Sequence, residues 1–488
     1  MISTGNKAVT FAIRPQILIR YLCLMLGIFG ILTCIPFIVS LFSGNVSSAW
    51  CYFLIIVLTC SLGVYGIHTT RKKEIRFQRN ESLALVALLF ICIPLLQSIP
   101  IMSYGIPFID AWFEAVSGIT TTGLSTLGTI EDRPLSFLFA RGWMQWVGGL
   151  GIIVLALALV LQPGLATKQL GFDAKEVDNV VGGTRAHAKR ILIAYLLLTF
   201  ILVLLLLLAG STIMDAMVHG MSAISTGGFA NYDDSLASLP TLQQGIIMLG
   251  CLAGAISFHL YYRRQFTDWN KIFGDVQFLA LLGIILFITS LLYLSMSTSN
   301  IFDPIQRAEH ALLMSISAQT TSGFATLNLA ELSQASLIIL SVSMFIGGGL
   351  GSTAGGIKLL RFMMLLRVIQ LYLQRLSASP HARITDRFMG APLTFADIQG
   401  AVTVFVAYVI TLIVSWLIFL HYGHDPLSAL FELSSALGTA GLSTGISNPG
   451  LEPGLKVLLI INMLLGRVEA IAIIVLLLPG NWFGKRRK

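Results

Sequence analysis

Charged side chains are scarce in this chain: only 11% of its 488 residues are Asp, Glu, Lys or Arg, against 56% hydrophobic. That leaves too little polar surface to coat a soluble globule of this length, and a soluble fold is excluded. Cysteine is sparse too. The six, Cys23, Cys34, Cys51, Cys60, Cys92 and Cys251, are scattered through apolar runs without metal-ligand spacing, so neither a metal centre nor a disulfide framework is indicated. No nucleophile paired with a base and no metal cluster is visible, and the Gly-rich run lacks the Gly-Lys-Ser/Thr ending of a phosphate cradle. Catalysis is therefore not expected. No apolar segment ends in a small-residue cleavage site, so the run from about Tyr21 to Phe42 is expected to stay on the chain as a membrane helix. The formal charge of +8 does not point to nucleic acid, because the basic residues sit in short loops between apolar stretches, where they act as topology signals.

What is abundant is membrane-length apolar sequence. Runs of about 20 such residues, the length that crosses a hydrocarbon core, begin near Tyr21, Cys51, Leu83, Met144, Ile191, Leu242, Phe278, Leu337, Ala401 and Val457. The expectation is an all-α membrane protein with ten transmembrane helices. Lys7, Arg14 and Arg20 precede the first span and RKKEIRFQR follows the second. Later loops carry Lys168, Lys175, Arg185, Lys189 and Arg190, then Arg263, Arg264 and Lys271, then Arg367, Arg375, Arg383 and Arg387, and the tail ends in GKRRK. By the positive-inside rule these stretches and both termini are cytoplasmic.

Between the later spans one phrase recurs four times: SGITTTGL ending at Leu124, SAISTGGF at Phe229, SAQTTSGF at Phe324 and SALGTAGL at Leu442. In register it sets Ser117, Ser222, Ser317 and Ser435 ahead of Thr121, Thr226, Thr321 and Thr439, and these ahead of Gly123, Gly228, Gly323 and Gly441. Each phrase closes a semi-apolar stretch too short to cross, which reads as a re-entrant half-helix. The unit is helix, pore half-helix, loop and helix, repeated at 82–162, 190–264, 275–370 and 398–480 after a two-helix region at 1–81, with all four loops dipping from the outer face. Parallel repeats imply an axis along the membrane normal, where one pore would run. The glycines leave room for backbone carbonyls to replace a cation's water shell. The candidate filter is Thr121, Thr122 and Gly123; Thr226, Gly227 and Gly228; Thr321, Ser322 and Gly323; Thr439, Ala440 and Gly441. Because the middle residues differ, ligation there falls to backbone carbonyls. Asp110 and Asp215 are expected to cap half-helices, and Glu114, His219 and Glu432 to be structural residues or ion and proton binders.

Two features lie deeper. Gly347, Gly348, Gly349, Gly351, Gly355 and Gly356, with Ser352 and Thr353, interrupt an apolar span. Each interior Gly costs a helix about 1 kcal/mol relative to Ala, so a break is expected, tolerated where it is buried in protein or lines a wet cavity. Arg467 falls near the middle of the last span, where a charge costs roughly 2.5–3.5 kcal/mol and calls for a partner or an aqueous path. A guanidinium there would raise the barrier for cations. Lys358 is read either in the same way or as snorkelling to the interface. Gly148, Gly149 and Gly151 suggest close helix packing.

With the four phrases, QWVGGLGIIVLA, FIGGGLGSTAGGIK and NMLLGRVE, the chain resembles the TrkH/TrkG/KtrB superfamily of bacterial potassium uptake proteins along nearly its whole length, closest to the TrkH/TrkG branch. The resemblance implies a potassium-translocating, pore-forming subunit in the bacterial inner membrane, with K+ as the bound ion and four filter glycines favouring potassium. It implies a gate made of the mobile intramembrane loop at the glycine run with Arg467, and a homodimer resting on a cytosolic TrkA-like ring that binds ATP or NAD. The alternative is a proton- or sodium-coupled potassium symporter; against it stands the lack of a clear midplane relay, Glu469 being the one good intramembrane acid.

Overall fold

A computed structural model describes residues 12–70, 78–159, 180–262, 274–297, 303–379, 385–389 and 391–483. Lys7, most of the RKKEIRFQR stretch, Lys168, Lys175, Arg263, Arg264, Lys271, Arg383 and the GKRRK tail lie outside the described residues, as does the side chain of Arg185. The chain divides into two compact units, Met1–Trp112 with Val468–Lys488, and Phe113–Arg467.

In the first unit, Pro15–Phe42 and Val46–Thr70 form a helical pair joined by a turn in which Gly44 takes φ +71°. Small residues let the backbones touch: a Cβ on Gly27 would meet the Cα of Gly63, and one on Gly66 would meet the backbone of Arg20 and Leu24. Lipid tails are as apolar as leucine, so this close dispersion contact holds such helices together. Arg79–Met102 follows, its start held by the Gln78 N–H donating to the Glu81 carboxylate at 2.9 Å. The buried Glu81 carboxylate also receives the Arg14 guanidinium at 2.7 and 2.8 Å, so its charge is paired.

The second unit holds the second and third repeats and the larger part of the first and fourth. Its short helices Ile213–Ile224, Pro304–Gln319 and Pro426–Gly438, together with Phe108–Ile119, stand where the half-helices are expected. Ile213–Ile224 packs on Leu135–Leu159, Pro304–Gln319 on Thr241–Ala255 and Pro426–Gly438 on Gln334–Ile346, so these three half-helices lean on the inner helix of the preceding repeat. Within a repeat, the inner helix approaches the end of its own half-helix through one glycine. A Cβ on Gly148, Gly254 or Gly466 would collide with the carbonyl oxygen of Ile119, Ile224 or Leu437, three equivalent positions.

Seven of the described helices are long and apolar enough to cross a bilayer: Pro15–Phe42, Val46–Thr69, Asn80–Met102, Ala188–Leu208, Val276–Met296, Phe395–His421 and Pro453–Leu477. The chain is thus a multi-pass, mostly helical membrane protein; ten full spans stay an expectation. Where spans were expected from Leu242 and Leu337 the helices are shorter, Thr241–Ala255 with 15 residues and Gln334–Ile346 with 13. The first stops because Ile256 is extended, the second because Gly347 turns to φ +72° and opens the glycine run. A two-residue antiparallel pairing, Arg387–Phe388 with Ala391–Pro392, is the strand content among the described residues.

Half-helix capping differs from the expectation in register. Thr212, not Asp215, is the N-cap of Ile213–Ile224; Asp215 sits in the first turn, donating its N–H to Thr212 Oγ1. Asp110 likewise falls in the first turn of Phe108–Ile119. In the fourth repeat Asp425 caps, accepting from the Ser428 N–H at 2.9 Å. A side-chain oxygen serves best one residue before the first helical one, and polar residues lie both there and further in, so spacing from the glycine chose the wrong one.

Candidate functional site

The recurring phrase is a helix-ending motif used four times. In each copy the residue before the glycine donates its N–H to the carbonyl of the phrase's serine: Thr122 to Ser117 at 2.9 Å, Gly227 to Ser222 at 2.8, Ser322 to Ser317 at 2.9, Ala440 to Ser435 at 2.8. The threonine N–H donates to the carbonyl one residue past that serine, at 3.0, 3.0, 3.2 and 3.2 Å from Thr121, Thr226, Thr321 and Thr439. This pair of bonds is a Schellman cap, which needs a left-handed residue that is usually glycine. Here it is threonine each time, with φ +53°, +50°, +53° and +48°. A β-branched residue in that region costs on the order of 1–3 kcal/mol. The same strain thus recurs at four equivalent points, one per repeat.

The four loops close on one another in a ring. A Cβ on Gly123 would collide with the carbonyl oxygen of Gly227, one on Gly228 with that of Ser322, one on Gly323 with that of Ala440, and one on Gly441 with that of Thr122. The contact runs from first repeat to second, third, fourth and back to the first, always between a glycine Cα and the carbonyl of the residue preceding the next glycine. No side chain fits at the four glycines, and φ of +91°, +81°, +76° and +87° disfavours one further. All twelve residues of the candidate filter are thereby brought together. The hydroxyls of Thr121 and Thr439 are fully buried and have no hydrogen-bond partner among the described residues.

Outside the ring, Gly123, Gly228, Gly323 and Gly441 all open onto one cavity of about 560 Å³, whose wall includes Asp233, Asp234 and Arg141. Its floor is braced by acids that sequence reading left between structural and ion-binding roles. Glu114, fully buried, receives Arg141 Nε at 2.5 Å and Ser125 Oγ at 2.8 Å. Arg141 in turn donates to the carbonyl of Ala230 at 2.9 Å and lies 3.9 Å over the Phe229 ring, tying the first repeat to the second. Glu432, the counterpart of Glu114, accepts from Ser443 Oγ at 2.8 Å and from the N–H groups of Thr444 and Ser447 at 3.1 and 3.2 Å. His219, at the same station in the second repeat, stacks on Tyr232 with Nδ1 2.9 Å from the Asp215 carbonyl. These contacts engage the carboxylates of Glu114 and Glu432 and the Nδ1 of His219. At the outer end, burial raises the Asp215 carboxyl, but hydrogen bonds from Asn231, Thr212 and Tyr232 outweigh it and hold it below the usual carboxylate range. Burial, then the Asp215 charge, pushes the Tyr232 phenol up to about 12.

Beneath the ring lies the glycine run, bonded to three repeats. Gly355 N–H donates to Thr321 Oγ1 at 2.6 Å and Gly356 N–H to the Gly438 carbonyl at 3.0 Å. Thr353 N–H donates to Gly254 O at 3.1 Å, and its hydroxyl lies 3.0 Å from Ile224 O, 2.9 Å from Gly254 O and 3.3 Å from Thr226 Oγ1. The chain passes this point with positive φ at Gly347, Gly351, Gly356 and Lys358. Gln319 holds the Gly347 carbonyl at 2.7 Å, Gly348 accepts from the Leu359 N–H at 2.9 Å and Gly349 donates to Ala255 O at 3.0 Å. Lys358 does not snorkel: it is buried and turns its ammonium back onto the Ala354 carbonyl inside the loop.

Arg467 completes the assembly. It is 3% exposed and donates to the Thr353 carbonyl at 2.6 Å, with its second terminal nitrogen 3.5 Å from the carbonyl of Gly148. The expected gate residues are therefore in one place. Gln145, Gln319 and Arg141 are not picked out by sequence reading as site residues. A glutamine inside an apolar helix, as in MQWVGG, is the signal that marks Gln145.

Fold and site define the class: a multi-pass membrane protein in which four pseudo-equivalent loops close around one axis above a broken helix. The family model TrkH, described as "Cation transport protein", matches residues 52–482, and the chain belongs to that family of cation transporters rather than to any enzyme family. Among its relatives, an uncharacterized cation transporter of Methanocaldococcus jannaschii is 31% identical over 93% of each chain. The Trk system potassium uptake protein TrkH of Salmonella typhimurium is 30% identical over 84% of this chain and 88% of its own. The crystal structure of the potassium transporter TrkH from Vibrio parahaemolyticus superposes with a TM-score of 0.85 at 28% identity, over 96% of this chain and 100% of that one.

Proposed function

We propose that this chain conducts potassium inward through a single gated pore, as the ion-translocating subunit of a Trk-type uptake system. The observation that carries the reading is the closed ring of glycine-to-carbonyl contacts among Gly123, Gly228, Gly323 and Gly441. A ring of carbonyls can replace the hydration of a monovalent cation. Half-helices ending at that ring add the negative end of their dipoles. Glycine at all four stations supports potassium as the preferred ion, as does the likeness to Trk potassium uptake proteins. The gate in this reading is the loop from Gly347 to Lys358, held shut by Arg467.

Channel-like conduction is favoured over proton- or sodium-coupled symport because the buried acids near the ring are already engaged, Glu114 with Arg141 and Glu432 with Ser443, Thr444 and Ser447. Membership of a Trk-type system supports a homodimer seated on a cytosolic TrkA-like ring that binds ATP or NAD, in a bacterial inner membrane with both termini cytoplasmic. The test is rubidium uptake into liposomes containing the chain, driven by a potassium gradient with pH and sodium varied. Uptake that competes with potassium and ignores pH supports the pore; uptake that needs a proton or sodium gradient sinks it.

A further inference from the structure

Behind the ring, the residues preceding the four glycines are supported in unequal ways. Thr122 carries its own hydroxyl, 2.7 Å from Thr120 Oγ1, and the Ser322 hydroxyl lies 3.2 Å from Thr320 Oγ1 and 3.4 Å from Ser317 O. Gly227 has no side chain, and the space where one would stand is filled by an amide from another repeat. A Cβ on Gly227 would collide with the Gln145 side chain. That amide lies on the inner helix of the first repeat, fully buried, and grips the second loop at three points. Its nitrogen donates to the Gly227 carbonyl at 2.5 Å, while its oxygen accepts from Ser222 Oγ at 2.7 Å and from the Phe229 N–H at 3.0 Å.

We propose that Gln145 is a positioning residue that sets ion discrimination, by fixing the Gly227 carbonyl against Gly123. The inference rests on the filter reading above. The Gly227 oxygen is the one that faces the Gly123 Cα between the first and second loops, so whatever orients it sets one of the ring's four contacts. An amide with both ends engaged holds a single orientation, because reversing it would set donor against donor at the Phe229 N–H and acceptor against acceptor at the Gly227 carbonyl. Gly227 has no positive φ, so its glycine is explained by the Gln145 amide and not by backbone conformation.

The experiment measures the potassium-to-sodium permeability ratio by bi-ionic potentials in liposomes, with thermal stability of the purified chain read alongside. Gln145→Met keeps the bulk of the side chain but cannot donate to Gly227; the ratio should fall by about fivefold, the scale of one neutral hydrogen bond. Gly227→Ser alone should lower it too, by colliding with the amide. The double variant Gln145→Ala with Gly227→Ser rebuilds the arrangement of Ser322 and should regain most of the loss. If wild type is selective while all three variants keep its ratio, or lose only stability, Gln145 is a packing residue and the proposal is wrong. If wild type itself is unselective, the filter reading falls first.

Discussion

The Arg467 guanidinium donates to the carbonyl oxygen of Thr353 at 2.6 Å, so a charge on the last inner helix is fastened to the glycine loop of the third repeat. Through Thr353 the same link reaches Gly254 and Thr226 in the second. Just beyond it the helix Pro453–Leu477 is itself broken, with Glu469 at φ +56°.

Replacing Arg467 by Ala should therefore raise basal rubidium flux. A hydrogen bond to a charged group is worth roughly 1.5–3 kcal/mol, so the conducting population should grow about tenfold or more. Arg467→Lys should fall between, since an ammonium keeps the charge but not the planar fork. Unchanged flux in the Ala variant would remove Arg467 from the gate.

Gly123→Ser should loosen potassium-over-sodium discrimination in the bi-ionic measurement, because the new Cβ must displace the Gly227 carbonyl. Gly210→Ser is the control. Gly210 also has positive φ, +88°, but open space around its Cα, so strain without collision should cost on the order of 1–2 kcal/mol of stability and leave the ratio alone. Equal effects of the two on selectivity would mean that backbone strain, not the ring contact, matters.

Removing one partner of the buried Glu114–Arg141 pair should strongly destabilise the protein, by roughly 3–5 kcal/mol, because the other charge stays buried without its counter-ion. Glu114→Gln paired with Arg141→Gln should recover much of it. Thermal unfolding of the purified chain decides, and full additivity of the two single changes would show that the pair is not coupled.

The outer end of the second half-helix should respond to acid. The Asp215 carboxyl lies below its unfolded value, so its stabilising share is complete above the ordinary Asp range, about 3.9, and is lost as pH falls through the lowered pKa. Unfolding temperatures measured against pH should show that acid limb in wild type and lose part of it in Asp215→Asn. An identical limb in both would assign the effect to other groups.

Much of this is legible in the sequence. Low charge and apolar runs decide the membrane class, since solvent, not topology, sets that limit. The fourfold phrase foretold four equivalent turns, because a Schellman cap is local: its bonds span only a few residues. The glycine run foretold a broken helix for the same reason. The order in which loops meet was not legible, nor was the identity of the carbonyl facing each glycine. Those are contacts between residues about a hundred positions apart, and about three hundred for Gly441 with Thr122, and a repeat pattern carries no information on how repeats close. Gln145 shows the limit best. In sequence it is one polar residue in an apolar helix, and Gly227 one more glycine in a turn; packing puts the amide of the first where the side chain of the second would be, and each then explains the other.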